Sequence, residues 1–337
     1  MRRLMAIAFM LMRVTNISAS FVRQRPSRHV RKLETTLRMR SDDAPLQGKT
    51  CLVTGSSGGI GKGIAHRFAE AGADVIVHYH SRKSGAIKTF SEINDEPYEG
   101  RCIGIIRADF RDARQVKEMF RCVLDEILLG NRLDILVNNA GIVTKMAIED
   151  DDESLSSWHE TMAVNLHAPL QLMRLSHMHM KSTQVNGRKG GVIINNTSIH
   201  GSRSVEYMQA YAASKAALDS LTRGLACEYA EGGIRVNAIA PGVVPVERTE
   251  EAFADPNVVD MWTPHLPVGR LGKVDDIADA TLMLATNEWM SGSIVTVDGG
   301  MTGRANMPFR PRPARQSAPE VNGSSEGSTV EFEVPLI

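Results

Sequence analysis

Tyr211 and Lys215 stand four residues apart in "YAASK", at the start of a stretch with helical spacing. Four residues make about one helical turn, so a phenol and an ammonium there share a face, roughly 5–6 Å apart at Cβ. An ammonium so placed favours the ionised phenol. Bringing a tyrosine from ~10 towards ~7 takes about 4 kcal/mol. One positive charge at ~4 Å supplies about that much at an effective dielectric of ~20. The pair is therefore a candidate acid–base group for neutral pH. The same spacing recurs at Tyr79 and Lys83, but these straddle the end of an apolar, strand-like run, where no single helical face exists.

A second candidate is "TGSSGGIG", Thr54–Gly61, between a strand-like run and a helical one. Gly55, Gly59 and Gly61 allow a tight turn, close approach of backbone to a pyrophosphate, and close helix–strand packing, with the helix N-terminus facing the phosphates. The spacing is Gly-x-x-x-Gly-x-Gly rather than Gly-x-Gly-x-x-Gly. Metal chemistry has no comparable signal. Cys51, Cys102, Cys122 and Cys227 form no Cys-x-x-Cys pair and read as reduced, buried thiols. His177 and His179 are two apart, which on a helix puts them on different faces, so no metal site is expected.

The elements that must position these groups are legible in the texture of the chain. "KTCLVTG", "DVIVHYH", "CIGIIRADF", "LDILVNNAG", "GVIINNTS", "IRVNAIAPG" and "SIVTVDGG" are short apolar runs. They alternate with helical stretches: the one after Gly59, then Ala113–Leu128, Ser154–Met180, Gln209–Ala230 and Val274–Thr286. Fully apolar strands alternating with amphipathic helices predict a parallel sheet of about seven strands covered on both faces. The expected fold is one doubly wound α/β domain over residues 47–302.

The flanks differ in composition. Net charge is zero, yet Met1–Arg40 holds ten basic residues against one acid, and Gly303–Ile337 holds four of each. The middle therefore keeps 25 basic and 34 acidic residues. Such an acidic body is not expected to bind nucleic acid. Residues 1–46, Arg-rich with serines, read as an organelle address, plastid or mitochondrial. The nine-residue apolar run Leu4–Met12 is too short to span a bilayer. Without such an address the protein would be cytoplasmic. Residues 303–337 read as a Pro/Ser/Gly-rich tail.

"TGSSGGIG", "NNAG" (Asn138–Gly141), "VNL" at Asn165, "TS" ending at Ser198, "YAASK" and "APG" (Ala240–Gly242) occur in the order of the short-chain dehydrogenase/reductase family, and Ser198 precedes Tyr211 by thirteen residues. On these motifs the chain resembles that family over roughly Lys49–Thr302. The resemblance implies a Rossmann-type domain and a homotetramer built on the helices at Ser154–Met180 and Gln209–Ala230. It implies that Tyr211 is the acid in reduction and the base in oxidation. Lys215 would lower its pKa and hold the nicotinamide ribose. Ser198 would hydrogen-bond the substrate oxygen, and Asn165 would fix a water in a relay to Lys215. The dinucleotide would lie on Gly55, Ser57, Gly59, Ile60 and Gly61, with Asp109 and Phe110 at the adenine. Asn139, Ala140 and Gly141 would line the adenosine side, and Pro241, Gly242 and Val244 the nicotinamide side.

After the second strand, relatives preferring NAD carry an acid for the adenine-ribose 2′-hydroxyl. Here Tyr79 aligns with it, followed by Ser81, Arg82 and Lys83, which suits a 2′-phosphate. NADP is expected, with NAD as the alternative, although Gly58 stands where NADP-preferring relatives often carry a cation. Valine at 246 replaces a common threonine, with Thr249 three residues later. The Pro-rich stretch Val243–Pro267 reads as a substrate lid. Two substrates fit. The overall pattern and the organelle address favour a 3-oxoacyl thioester. "TSIHG", "FADP" and "VDGGMT" look more like glucose 1-dehydrogenases. A catalytically silent dinucleotide-binding scaffold or sensor is the non-enzymatic alternative.

Overall fold

In the computed structural model, residues 44–182 and 190–303 are described. Of the segment expected to be an organelle address, 1–46, residues 1–43 lie outside them, as does the expected tail 303–337 from residue 304 on. Seven parallel strands form one sheet in the order β3-β2-β1-β4-β5-β6-β7. They are β1 (Thr50–Val53), β2 (Asp74–Tyr79), β3 (Arg101–Arg107), β4 (Ile135–Asn138), β5 (Gly191–Asn196), β6 (Ile234–Pro241) and β7 (Ile294–Val297). The order turns back between β1 and β4, which opens a crevice at their carboxyl ends.

Alternation along each strand divides the apolar residues between the two faces. Leu52, Ile76, Leu136, Ile193 and Val236 point into one core. It is closed by α3 (Ala113–Cys122), α5 (Ala168–Ser182) and α6 (Gln209–Glu228). Cys51, Val53, Val75, Val137 and Ile239 point into the other. There α1 (Gly59–Glu70), α2 (Lys83–Asp95) and α9 (Val274–Thr286) cover the sheet. Each fully buried Leu, Ile or Phe in these layers contributes about 1.5–3 kcal/mol.

Three expectations are refined. The helix at Ser154–Met180 is two helices, α4 (Ser156–Met162) and α5, joined by a π-helical turn at Ala163–His167. Ala113–Leu128 likewise ends in a π turn, Val123–Ile127. The stretch read as a lid contains two short helices, α7 (Glu250–Phe253) and α8 (Pro256–Trp262), the second started by Asp255 capping the Asn257 N–H and by Pro256 in the first turn. Three cysteines are buried as expected, but Cys227 is exposed, because it lies on the outer side of α6. His177 stacks on Tyr229 at 3.9 Å, and His179 Nε2 accepts the Leu133 N–H, so both serve packing. Among the described residues no helix is long and apolar enough to cross a membrane.

Candidate active site

A cleft of about 610 Å³ opens at the carboxyl ends of the strands. Its floor at β1 is the glycine turn. Gly55 and Gly59 hold φ of 67° and 58°, the left-handed region that favours glycine. Gly61 permits contact: a Cβ there would lie 2.3 Å from Asn139 Nδ2 and 2.6 Å from the Gly55 carbonyl. Helix α1 starts after Gly58 with no side-chain cap, whereas α3 is capped by Asp112. Its first N–H groups are thus turned towards the cleft. The Gly59 N–H meets a carboxylate from the far end of the chain, Glu247 Oε2, at 2.5 Å. Ser57 and Ile60 complete this part of the wall.

The "NNAG" run after β4 braces the same turn. Thr54 Oγ1 accepts the N–H groups of Asn139 and Ala140 at 2.9 and 3.0 Å. Asn138 Nδ2 donates to Asn195 Oδ1, and Asn196 Nδ2 to Asn139 Oδ1. Asn139, Ala140 and Gly141 all face the cleft.

At the end of β2 the register differs from the sequence alignment. Tyr79 is buried in the core on the opposite face and does not line the cleft. The period of two along the strand instead turns His78 and His80 inward, followed by Ser81 and Arg82. The Arg82 guanidinium lies against Gly58, where a Cβ would come within 2.9 Å of Nη2. The guanidinium therefore occupies the space that a side chain at position 58 would need. Asp109 and Phe110 also line the cleft. The Asp109 carboxylate is held by Arg111 at 2.7 Å, which keeps it below the usual carboxylate range.

His78 was not singled out by sequence reasoning. Its Nδ1 accepts the Gly55 N–H at 3.0 Å, Nε2 bonds the Ala108 carbonyl, and its ring stacks on Phe110 at 4.4 Å. Those partners assign the proton to Nε2, and burial lowers its pKa to about 4. The only signal in the chain was a histidine inside an apolar strand.

The other end of the cleft gathers Ser198, Tyr211 and Lys215. Ser198 follows β5, while Tyr211 and Lys215 are on the first turns of α6. The Tyr211 hydroxyl hydrogen-bonds the Ser198 side chain. Lys215 Nζ donates to the Asn196 carbonyl at 2.8 Å and lies 5.6 Å from the Tyr211 ring centroid. Asn165, in the π turn, stands behind the wall and does not line the cleft. Its amide clamps both Ile142 backbone groups and donates to Ser214 Oγ at 3.2 Å. Its Oδ1 and the Lys215 ammonium converge on Gly141, where a Cβ would lie 3.2 and 3.6 Å from them.

One electrostatic expectation is corrected. Tyr211 is not brought below the ordinary phenol value. Burial raises it, while the Ser198 hydrogen bond and the charge of Arg248 pull it down. Burial lowers Lys215 itself to about 8.

Pro241 and Gly242 end β6 at the cleft, and Val244 follows on its wall. Val246 packs over Gly59, where a Cβ would meet Cγ1 at 3.3 Å. Thr249 Oγ1 accepts the Val246 N–H and donates to its carbonyl. It lines the cleft from this turn rather than reaching along the chain as the absent threonine would. Among the described residues no cluster of three or more metal-ligating side chains occurs.

The profile of a family described as Enoyl-(Acyl carrier protein) reductase matches residues 55–302. A 3beta-hydroxysteroid dehydrogenase 1 of Eggerthella lenta is 36% identical over 259 residues, 76% of this chain and 95% of that protein. A 2-dehydro-3-deoxy-D-gluconate 5-dehydrogenase of Bacillus subtilis is 35% identical over 265 residues, 78% of this chain and 98% of its own. Among solved structures, a gluconate 5-dehydrogenase from Burkholderia cenocepacia in complex with NADP and tartrate aligns with a TM-score of 0.69. It is 29% identical and covers 79% of this chain and 99% of its own.

Proposed function

This chain belongs to the short-chain dehydrogenase/reductase family, and on that premise we propose that it is an NADP(H)-dependent carbonyl reductase and secondary-alcohol dehydrogenase. One observation carries the proposal. Ser198, Tyr211 and Lys215 share a single cleft with an uncapped helix N-terminus and an arginine seated on the glycine turn. The cleft fits a dinucleotide phosphate ester. Gly59 offers an N–H for a diphosphate, Ser81 and Arg82 suit a 2′-phosphate, and Lys215 can reach a ribose. Bound there, NADPH supplies the hydride.

The chain's own groups handle the proton. Ser198 hydrogen-bonds the substrate oxygen and so fixes it beside the Tyr211 hydroxyl. Tyr211 gives its proton to that oxygen as alkoxide charge develops. A phenol held above its ordinary value stays protonated at neutral pH, which suits reduction. Lys215, cationic at pH 7, stabilises the phenolate left behind. Asn165 acts by holding the Ile142 turn and, through Ser214, the first turn of α6. A water between Asn165 and Lys215 would return the proton from solvent. A silent scaffold has no use for this set.

For the substrate, the names of the relatives favour a sugar acid or sterol alcohol, and Arg248 beside Tyr211 suits a carboxylate. A 3-oxoacyl thioester is the second reading, favoured by the overall pattern of motifs and by the expected organelle address. The test is a panel of 5-dehydro-D-gluconate, a 3-oxosteroid, ethyl 3-oxobutanoate and a 3-oxoacyl thioester with NADPH and NADH, and of glucose with NADP+ and NAD+. Tyr211→Phe should bind NADPH yet lose at least a thousandfold in turnover. Equal activity in the two proteins removes the assignment. We also propose the organelle address and the tetramer; N-terminal sequencing of native protein and light scattering test them.

A further inference from the structure

Helix α6 carries a third ionisable group in register with the first two. Tyr211, Lys215 and Asp219 follow at four-residue steps and so lie along one face. Asp219 is 7% exposed and Lys215 4%, so two opposite charges are withdrawn from water within one turn. The carboxylate is hydrogen-bonded by the side chain of Thr197, the residue before Ser198, while its Oδ1 has no hydrogen-bond partner. Its other oxygen presses on the turn that follows Ser198, since a Cβ at Gly201 would lie 2.6 Å from Oδ2. A buried carboxylate with an unsatisfied oxygen is costly unless a charge nearby compensates it.

We propose that Asp219 is a positioning residue of the reaction: it is the counter-charge that keeps Lys215 an ammonium, and the pin that holds the Ser198 turn on α6. The inference rests on the acid–base reading above. Burial raises the Asp219 carboxyl, and on α6 itself the charges of Arg223 and Lys215 oppose that rise. From the end of β5 come the Thr197 hydroxyl and the Asn196 carbonyl, and from the loop after β4 and the π turn come Gly141 and the Asn165 amide. None of these last four is ionisable. The charge that acts on Lys215 is Asp219, and it opposes the burial that has lowered the ammonium to about 8.

The test is Asp219→Asn, which keeps shape and removes charge. The readout is kcat/KM at pH 6 and pH 8 with NADPH and ethyl 3-oxobutanoate. Without the carboxylate the alkaline limb should move down by about one pH unit. The ratio of the rate at pH 8 to that at pH 6 should then fall about fivefold. Gly201→Ala, which pushes on the carboxylate without discharging it, should lower kcat and leave that limb in place. An unmoved limb in Asp219→Asn, or equal losses at both pH values, overturns the inference. Tyr211→Phe in the same assay separates the two claims. Turnover that survives it removes the acid–base reading and this inference together. Loss there, with an unchanged ratio in Asp219→Asn, removes the inference alone.

Discussion

Glu247→Gln should tighten NADPH binding. The Glu247 carboxylate accepts the Gly59 N–H at 2.5 Å, at the first residue of α1. A diphosphate seated on the same N–H must displace it. An anion at an exposed helix N-terminus gains about 0.3–1 kcal/mol. The charge-assisted hydrogen bond adds about 1.5 kcal/mol, most of it offset by ordering a long side chain. The displaced carboxylate, held nearby by Val246 packed over Gly59, then repels the nearer diphosphate charge by about 0.6 kcal/mol at ~7 Å in water. The total is about 1–1.6 kcal/mol, or roughly five- to fifteenfold in Kd. Titration of NADPH fluorescence measures it, with 2′-AMP as the control, because that ligand carries the adenosine end and no diphosphate. The gain should shrink in 0.5 M salt, where the Debye length falls to a few ångström. An unchanged Kd for NADPH refutes the reasoning. So does an equal gain for 2′-AMP, which would place the effect away from Gly59.

Arg82→Ala should raise the KM for NADPH by about 10–50-fold, the loss of one or two charge-assisted hydrogen bonds, and change that for NADH less than twofold. Parallel losses for both cofactors would remove the 2′-phosphate assignment from Arg82. His78 makes the fold acid-sensitive. Its pKa is about 4 in the native protein, against about 6.5 when unfolded, so between those values the unfolded chain binds the extra proton and stability falls as pH falls. At pH 4.5 the loss is about 2.5 kcal/mol. Urea midpoints at pH 7.5 and 4.5 should show it in the wild type and not in His78→Gln; parallel shifts in the two proteins would argue against it.

Much of this was legible in the chain because its punctuation is local. A parallel strand buried on both faces must be apolar throughout, so β1 to β7 announce themselves. Glycine turns mark where each strand gives way to a helix, and those ends are where a doubly wound sheet assembles a site. Ser198, Tyr211 and Lys215 could therefore be placed together without coordinates. Tyr79 went astray through parity, since one step of register along a strand moves a side chain to the other face. Glu247 could not be paired with Gly59, because 188 residues separate them and no pattern connects an acid to a distant N–H. Asp219 was hidden on a face whose first two members had already been explained. The direction of the Tyr211 shift was missed for a different reason: it depends first on how much water the phenol loses, which spacing does not encode.

The substrate stayed unread for a reason that the packing makes plain. The acid–base groups are carried by elements whose rotation is fixed by buried polar contacts. Asn138 on β4 donates to Asn195 on β5, and Asn195 donates to Thr222 on α6 at 2.9 Å. All three side chains are at most 2% exposed. An apolar interface would let α6 turn slightly about its axis at little cost. A buried polar ladder does not, because rotation would break the Asn195–Thr222 bond and strand a buried amide. Tyr211, three turns before Thr222, inherits that azimuth, and Lys215 carries it to the Asn196 carbonyl. The connection after β6 lines the same cleft with Val244, Val246, Glu247, Arg248 and Thr249. There Arg248, Glu247 and Thr249 stand on backbone tied mainly to itself, through Val246 and Thr249. Chemistry is thus written into the rigid part of the fold, where residue type and spacing must agree. The connection after β6 carries no such pattern, and its placement appears only when its side chains are seen against Gly59 and Tyr211.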